Sequence, residues 1–129
     1  MNIDGEYVEE VHGDGLIISS PMGSTAYSLA AGGPVIDPNL HLMTISPICP
    51  HSLAQRSYVL DKDSSIEIKA ASESKENQRL TVLIDGKPEY SFLSSETIKL
   101  SMATDKLRIA KLKEKSVFAE IAKKMHMRN

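Results

Sequence analysis

Apolar and polar positions alternate in short blocks along most of this chain, and the blocks end at glycine, proline or aspartate. Ile66, Ile68 and Ala70 alternate with Glu67 and Lys69, while Leu80, Val82 and Ile84 alternate with Thr81, Leu83 and Asp85. Ile98, Leu100 and Met102 repeat the pattern. A period of two belongs to a strand with one wet face. Asp85-Gly86 is a two-residue hairpin signal, so the chain should turn there and return through Tyr90 and Phe92. Leu107 with Ile109, after a Thr104-Asp105 turn, predicts a last strand. Leu42 to Ile45 reads as a short buried strand and Ser57 to Leu60 as another, followed by a turn over Asp61 to Ser65. Ser72 to Gln78 is polar and charged and reads as a loop, as does Val35 to Leu40 with its Asp37, Pro38 and Asn39. Pro47 and Pro50 should hold Ile48-Cys49 extended without a helix or a ladder. Many short strands with almost no helix between them predict a mainly β fold, an antiparallel β-sandwich.

Both ends of the chain add detail. Asp4-Gly5 is a second hairpin turn, and Tyr7 to Val11 can form the strand after it. Only Met1, Asn2 and Ile3 precede the turn, so the partner strand is expected upstream, in a longer parent protein. At the other end the period changes. After Ser116, a candidate cap, Phe118, Ile121, Ala122 and Met125 recur at helical spacing, which predicts an amphipathic helix over 116–127. Its apolar stripe needs a cover, either its own sheet or another body.

The 129 residues, 41% of them hydrophobic, suit one domain, 1–129, with its own core. Fifteen basic and 17 acidic residues leave a net charge of -2, which gives no reason to expect a nucleic-acid partner, whose phosphates usually call for a basic face. One cysteine, Cys49, cannot close an internal disulfide, and no apolar run resembles a signal peptide or a spanning helix. A cytoplasmic protein with no membrane partner is the expectation.

Gly13 to Pro34, GDGLIISSPMGSTAYSLAAGGP, stands apart from the strand pattern. A Gly-Asp-Gly turn leads into a short apolar run and a hydroxyl-rich loop broken by Pro21 and Gly23. A brief helix should follow, with Ser24 and Thr25 capping it, Ala26 to Ala31 forming it, and Gly32-Gly33 before Pro34 ending it. Free backbone N–H groups, hydroxyls and a helix N-terminus would then face the ring of Tyr27, a surface suited to a nucleotide. The stretch lacks the lysine of a P-loop, and Ser24 lacks the flanking glycines of a nucleophile elbow. Cys49 and His51 without a second pair fall short of a zinc site.

These residues carry a family resemblance. Gly13-Asp14-Gly15-Leu16, Pro21, Gly23-Ser24-Thr25-Ala26-Tyr27 and Gly32-Gly33 resemble the signature of NAD kinases. Pro47-Ile48-Cys49-Pro50-His51-Ser52-Leu53 and Ile84-Asp85-Gly86 are similar to further family blocks. The family's Gly-Gly-Asp-Gly segment, which supplies the catalytic carboxylate and the phosphate loop, is absent, as is its Asn-Glu pair. The chain thus resembles the C-terminal domain alone. The resemblance implies an enzyme that transfers the γ-phosphate of ATP, with a divalent metal such as magnesium, to the 2′-hydroxyl of the adenosine ribose of NAD, giving NADP. This part would bind NAD and support a homodimer or homotetramer. Its own upstream catalytic domain would supply the chemistry, so the chain by itself should be inactive and hold no tightly bound cofactor.

For the site, the resemblance implies NAD contacts at His12, Asp14, Thr25, Ala26, Tyr27, Ser28, Leu29, Ala30, Cys49 and Lys87. No catalytic residue and no metal ligand is expected among them. Asp14 would hold the nicotinamide-ribose side, Thr25 and Ala26 would pack against the dinucleotide, and Tyr27 would stack by the adenosine, worth on the order of 1 kcal/mol. Each has a plainer alternative: Asp14 as a turn aspartate bonding its own backbone, Tyr27 as core packing, Lys87 as a solvated hairpin tip. Ser20, Met22 and Ala30 stand where hydroxyl residues are common in the family, and Cys49 where a small residue is usual. Two other readings stay open: a non-catalytic nucleotide-sensing or assembly module of the same fold, and a lipid kinase relative.

Overall fold

The computed structural model describes residues 1–70, 79–105, 107, 110 and 116–126. The chain is mainly antiparallel β with few helices, and it divides into two compact units. One comprises Met1–Val11 with Ser64–Ser101, the other His12–Asp63 with Met102–Asn129.

In the first unit, strands β1 (Asn2–Ile3), β2 (Glu6–Tyr7), β6 (Ser65–Lys69) and β9 (Thr97–Ser101) form a sheet in the order β2-β1-β6-β9. Register explains the alternation seen in the sequence. Ile3 stands opposite Ile66 and Ile66 opposite Leu100, with Ile68 opposite Ile98 in the next row of the same face. Ile66 is fully buried at the centre of that face. The intervening pair, Glu67 opposite Lys99, forms an ion pair on the other face. Apolar cross-strand pairs of this kind each add a few tenths of a kcal/mol to about 1 kcal/mol.

Asp4-Gly5 makes the expected hairpin, with positive φ at both residues (51° and 83°), as a type I′ turn requires. Its first strand is Asn2–Ile3 itself rather than an upstream segment, and its second ends at Tyr7, short of Val11. A two-residue strand holds because β1 also pairs with β6, so it is not an isolated hairpin. Asp4 pins the same place. Its backbone N–H donates to Ser65 O at 2.9 Å, and its Oδ1 accepts from Ser65 N at 2.7 Å. The second hairpin, β7 (Arg79–Ile84) and β8 (Lys87–Leu93), turns at Asp85-Gly86 with φ of 48° and 79°, again type I′. A bulge between Val82 and Leu83 interrupts its alternation, so Leu80 and Val82 are half-buried while Leu83 and Ile84 are exposed.

In the second unit, β3 (Gly15–Ser19), β4 (Leu42–Ile48) and β5 (Tyr58–Asp61) form a sheet in the order β3-β4-β5. β4 is longer than the four residues expected. Ser46, Pro47 and Ile48 continue the ladder with β3, where Pro47 stands opposite Leu16. Pro47 is tolerated because pairing with β5 ends at Ile45, which leaves one side of the strand without a partner that needs an N–H. The expectation that this segment would lie outside any ladder is therefore corrected. Along β4, Met43 and Ile45 alternate with Thr44 and Ser46, and all four are buried. One face of the strand is apolar and the other is lined by hydroxyls.

Between β3 and β4 the chain makes a 3-10 turn (Met22–Thr25) and a single helical turn, α1 (Tyr27–Ala30). No side-chain cap holds α1, contrary to expectation. Ser24 Oγ donates to Pro21 O at 2.7 Å and accepts from Ile36 N at 3.2 Å, while Thr25 Oγ1 donates to Met22 O at 3.3 Å. The end of α1 is as expected. Gly32 has φ of 84° and its N–H donates to Leu29 O, while Gly33 N–H donates to Ser28 O at 2.8 Å, a Schellman pair of bonds. The loop after it closes on Asp37, whose Oδ1 accepts from Asn39 N at 2.9 Å. Helix α2 (Val117–His126) is capped as predicted, with Ser116 Oγ accepting from Ala119 N. The Ser72 to Gln78 loop and Ile109 of the expected last strand lie outside the described residues.

Two outcomes follow from these contacts. A Cβ at Gly33 would sit 2.5 Å from Ser28 Oγ and 2.6 Å from Ser46 Oγ. Gly33→Ala should therefore lower stability by about 1–3 kcal/mol, read from urea unfolding, and an unchanged midpoint would contradict the packing. Hydrogen bonds from the Ser65 backbone and the Ser64 hydroxyl hold the Asp4 carboxyl below its ordinary value of 3.8. A lowered folded-state pKa gives stability that is present above 3.8 and is lost as pH falls through the lower folded value. Thermal melts of wild type and Asp4→Asn should differ at pH 7 and converge below that range.

Candidate functional site

Two segments of the second unit carry most of the residues expected in the site, and β3 joins them. The first is His12-Gly13-Asp14, which lies against Ile48 to His51. Asp14 N donates to Ile48 O and His51 N to His12 O, both at 2.9 Å. Between these bonds the backbones touch: a Cβ at Gly13 would lie 2.7 Å from Ile48 O and 3.1 Å from Cys49 O. Only glycine permits that approach. Opposite it, Cys49 has a positive φ of 44°, an uncommon conformation for a residue with a side chain and more so before Pro50. Two motif blocks far apart in sequence are thus locked together at the end of the β3-β4 ladder. His12, Asp14 and Cys49 are brought together there, and all three are exposed.

The second segment is the turn from Pro21 to Pro34. Tyr27 is 62% exposed, so its ring is not a core side chain. Ala26 and Ala30 are exposed beside it, and Thr25 and Leu29 are half-buried. Ser28 faces the other way. It is 1% exposed, and its Oγ lies 3.2 Å from Ser46 Oγ on the hydroxyl face of β4. Ser46 also accepts from Ser57 Oγ at 2.9 Å, and Ser19 Oγ lies 2.8 Å from Thr44 Oγ1. The side chain of Ser28 therefore anchors the turn to the sheet, and only its backbone is left to meet a ligand. As a single turn with no side-chain cap, α1 offers little of the helix-terminus field expected of it.

Ser46 lies three positions before Cys49 on the same stretch of chain, so the two segments sit about 10 Å apart along the strand direction. The two segments expose a carboxylate, an aromatic ring and small side chains. Lys87 opens β8 in the first unit and is exposed. Ser46 and Ser57 support the site without belonging to the residues that the sequence marks for it. The signal for Ser46 is the alternation of Thr44 and Ser46 with Met43 and Ile45, which puts a polar face inside a buried strand. Among the described residues no group of three or more His, Cys, Asp or Glu side chains could hold a metal ion, and no helix is long and apolar enough to cross a membrane.

A family model described as the ATP-NAD kinase C-terminal domain matches residues 1–112. An NAD kinase of Caldicellulosiruptor saccharolyticus is 37% identical over 97% of this chain and 46% of that protein. Another, of Carboxydothermus hydrogenoformans, is 40% identical over 98% of this chain and 44% of its own length. The chain thus spans less than half the length of these curated relatives. Among solved structures, a yeast NADH kinase complexed with NADH matches with a TM-score of 0.65 and 36% identity, covering 75% of this chain and 26% of that one. An NAD kinase from Archaeoglobus fulgidus in complex with ATP matches at 0.66 and 30%, covering 80% and 38%. Fold, motif blocks and relatives agree: the chain belongs to the ATP-NAD kinase C-terminal domain family.

Proposed function

We propose that this chain is the NAD-binding part of an NAD kinase, a phosphotransferase that moves the γ-phosphate of ATP to the 2′-hydroxyl of the adenosine ribose of NAD and yields NADP. The observation that carries this reading is the open ring of Tyr27, flanked by exposed Ala26 and Ala30 on a turn whose inner face is fastened to β4. An exposed aromatic on a fixed support is a stacking platform for a base. Small neighbours let the base and ribose come close.

Each group then has a task. Asp14, held at the end of the ladder, accepts hydrogen bonds from ribose hydroxyls on the nicotinamide side, with His12 and Cys49 forming the adjoining wall. Thr25 and Ala26 border the adenosine side, and the backbone of Ser28 to Ala30 continues that edge. The chain binds and orients. Abstracting the proton of the attacking hydroxyl and neutralising the γ-phosphate fall to an upstream domain that also holds ATP and magnesium. The exposed apolar side chains of α2, Phe118 and Met125, are the surface proposed to serve assembly into a homodimer or homotetramer.

Calorimetric titration of the chain with NAD should show saturable binding. Tyr27→Ala should weaken it about fivefold, the loss of roughly 1 kcal/mol of stacking. With ATP, magnesium and NAD the chain alone should make no NADP, whereas the same chain joined to a Gly-Gly-Asp-Gly domain should. Absence of NAD binding at millimolar concentrations, or equal affinity in the Tyr27→Ala variant, would overturn the reading.

A further inference from the structure

A single helical turn does not hold itself together in water, because nucleation fixes several dihedrals for very few hydrogen bonds. α1 has four residues and no side-chain cap, so the direction in which it presents Tyr27 must come from tertiary contacts. Its buried side chain is Ser28. Ser28 Oγ lies 3.2 Å from Ser46 Oγ, and Ser57 Oγ donates to Ser46 Oγ at 2.9 Å. Accepting from Ser57 leaves the Ser46 hydrogen available to Ser28, so the three hydroxyls form a chain from β4's neighbouring segment into the turn. Ser28 and Ser46 are 1% and 0% exposed, beyond the reach of bulk water. Gly33 closes the other side, where even a methyl group would collide with both oxygens.

We propose that Ser46 and Ser57 are positioning residues for the dinucleotide site. Resting on the NAD-binding reading, this assigns them no contact with NAD; they act by fixing Ser28, and with it the turn that carries Tyr27. An apolar side chain at Ser46 would fill the space but would not fix direction. A hydroxyl hydrogen bond is angular, and removing it would take the Ser46 partner from the buried Ser28 hydroxyl. The polar choice thus trades non-directional packing for orientation.

Two readouts test this in the 129-residue chain. Amide hydrogen exchange monitors the turn without any ligand, through the N–H groups of Ala31, Gly32 and Gly33, which bond to Tyr27, Leu29 and Ser28. Ser46→Ala and Ser57→Ala should speed exchange at these three amides at least tenfold while leaving the Asp14 amide, bonded to Ile48, unchanged. Ser57→Thr, which keeps the hydroxyl, should restore the slow rate. Calorimetry with NAD should then show binding weakened by up to about fivefold for both alanine variants, with Ser116→Ala, a cap removed elsewhere, lowering the melting temperature but not the affinity. Unchanged local exchange in folded Ser46→Ala overturns the proposal, as does an affinity loss that Ser116→Ala matches at equal destabilisation. If wild type shows no NAD binding, the dinucleotide reading fails, and with it the assignment of these serines to NAD; selective exchange would then show only that they hold the turn.

Discussion

The contact on which the rest of this site depends is the one between Ser28 and Ser46, made where neither oxygen meets solvent. β4 is buried on both faces, and its hydroxyl face is an unusual thing to bury. Desolvating a hydroxyl is unfavourable unless it finds a partner, and every one of Ser24, Ser28, Thr44 and Ser46 has one. The result is a short polar seam under the signature turn. Its partners must meet at one distance and angle, so the seam specifies a position, whereas an oily interface would tolerate sliding.

Glycine placement completes the constraint. Gly33 lets the chain pass within contact of both serine oxygens, and Gly13 lets it pass within contact of the Ile48 and Cys49 carbonyls. The two glycines do the same thing at the two ends of the candidate site: they remove a side chain so that backbone can lie against backbone or hydroxyl. Between them runs β3, whose pairing with β4 from Gly15 to Ser19 sets how far apart the two segments stand. The expected site residues thus sit on a loop locked to the end of the β3-β4 ladder and on a turn clamped to β4, a firmer support than a free loop gives.

Much of this is legible in the residues themselves. Both Asp-Gly turns, the rows built on Ile66 and Ile68, the Ser116 cap and the Gly32-Gly33 helix end follow from local chemistry and stand in the structure as their residues predict. The departures share a cause. Ser24 and Thr25 have the chemistry of caps and Pro47 that of a strand end, because those are the usual local roles of such residues. In the fold, Ser24 is taken by Pro21 and Ile36, and Pro47 falls where β4 has already lost its β5 neighbour. Ser28 belongs to a motif expected to face a ligand, yet the structure turns its hydroxyl inward.

What the sequence determined alone is whatever depends on neighbours a few positions apart: turn type, strand period, helix ends, and the motif blocks that mark the family. A φ preference or an alternation acts over that range and needs no knowledge of the fold. Which hydroxyl meets which, and whether a proline falls on a paired or an unpaired side of a strand, depends on residues tens of positions away. Only the tertiary structure decided those, because hydrogen bonds of about 3 Å discriminate between arrangements that the sequence pattern leaves equivalent.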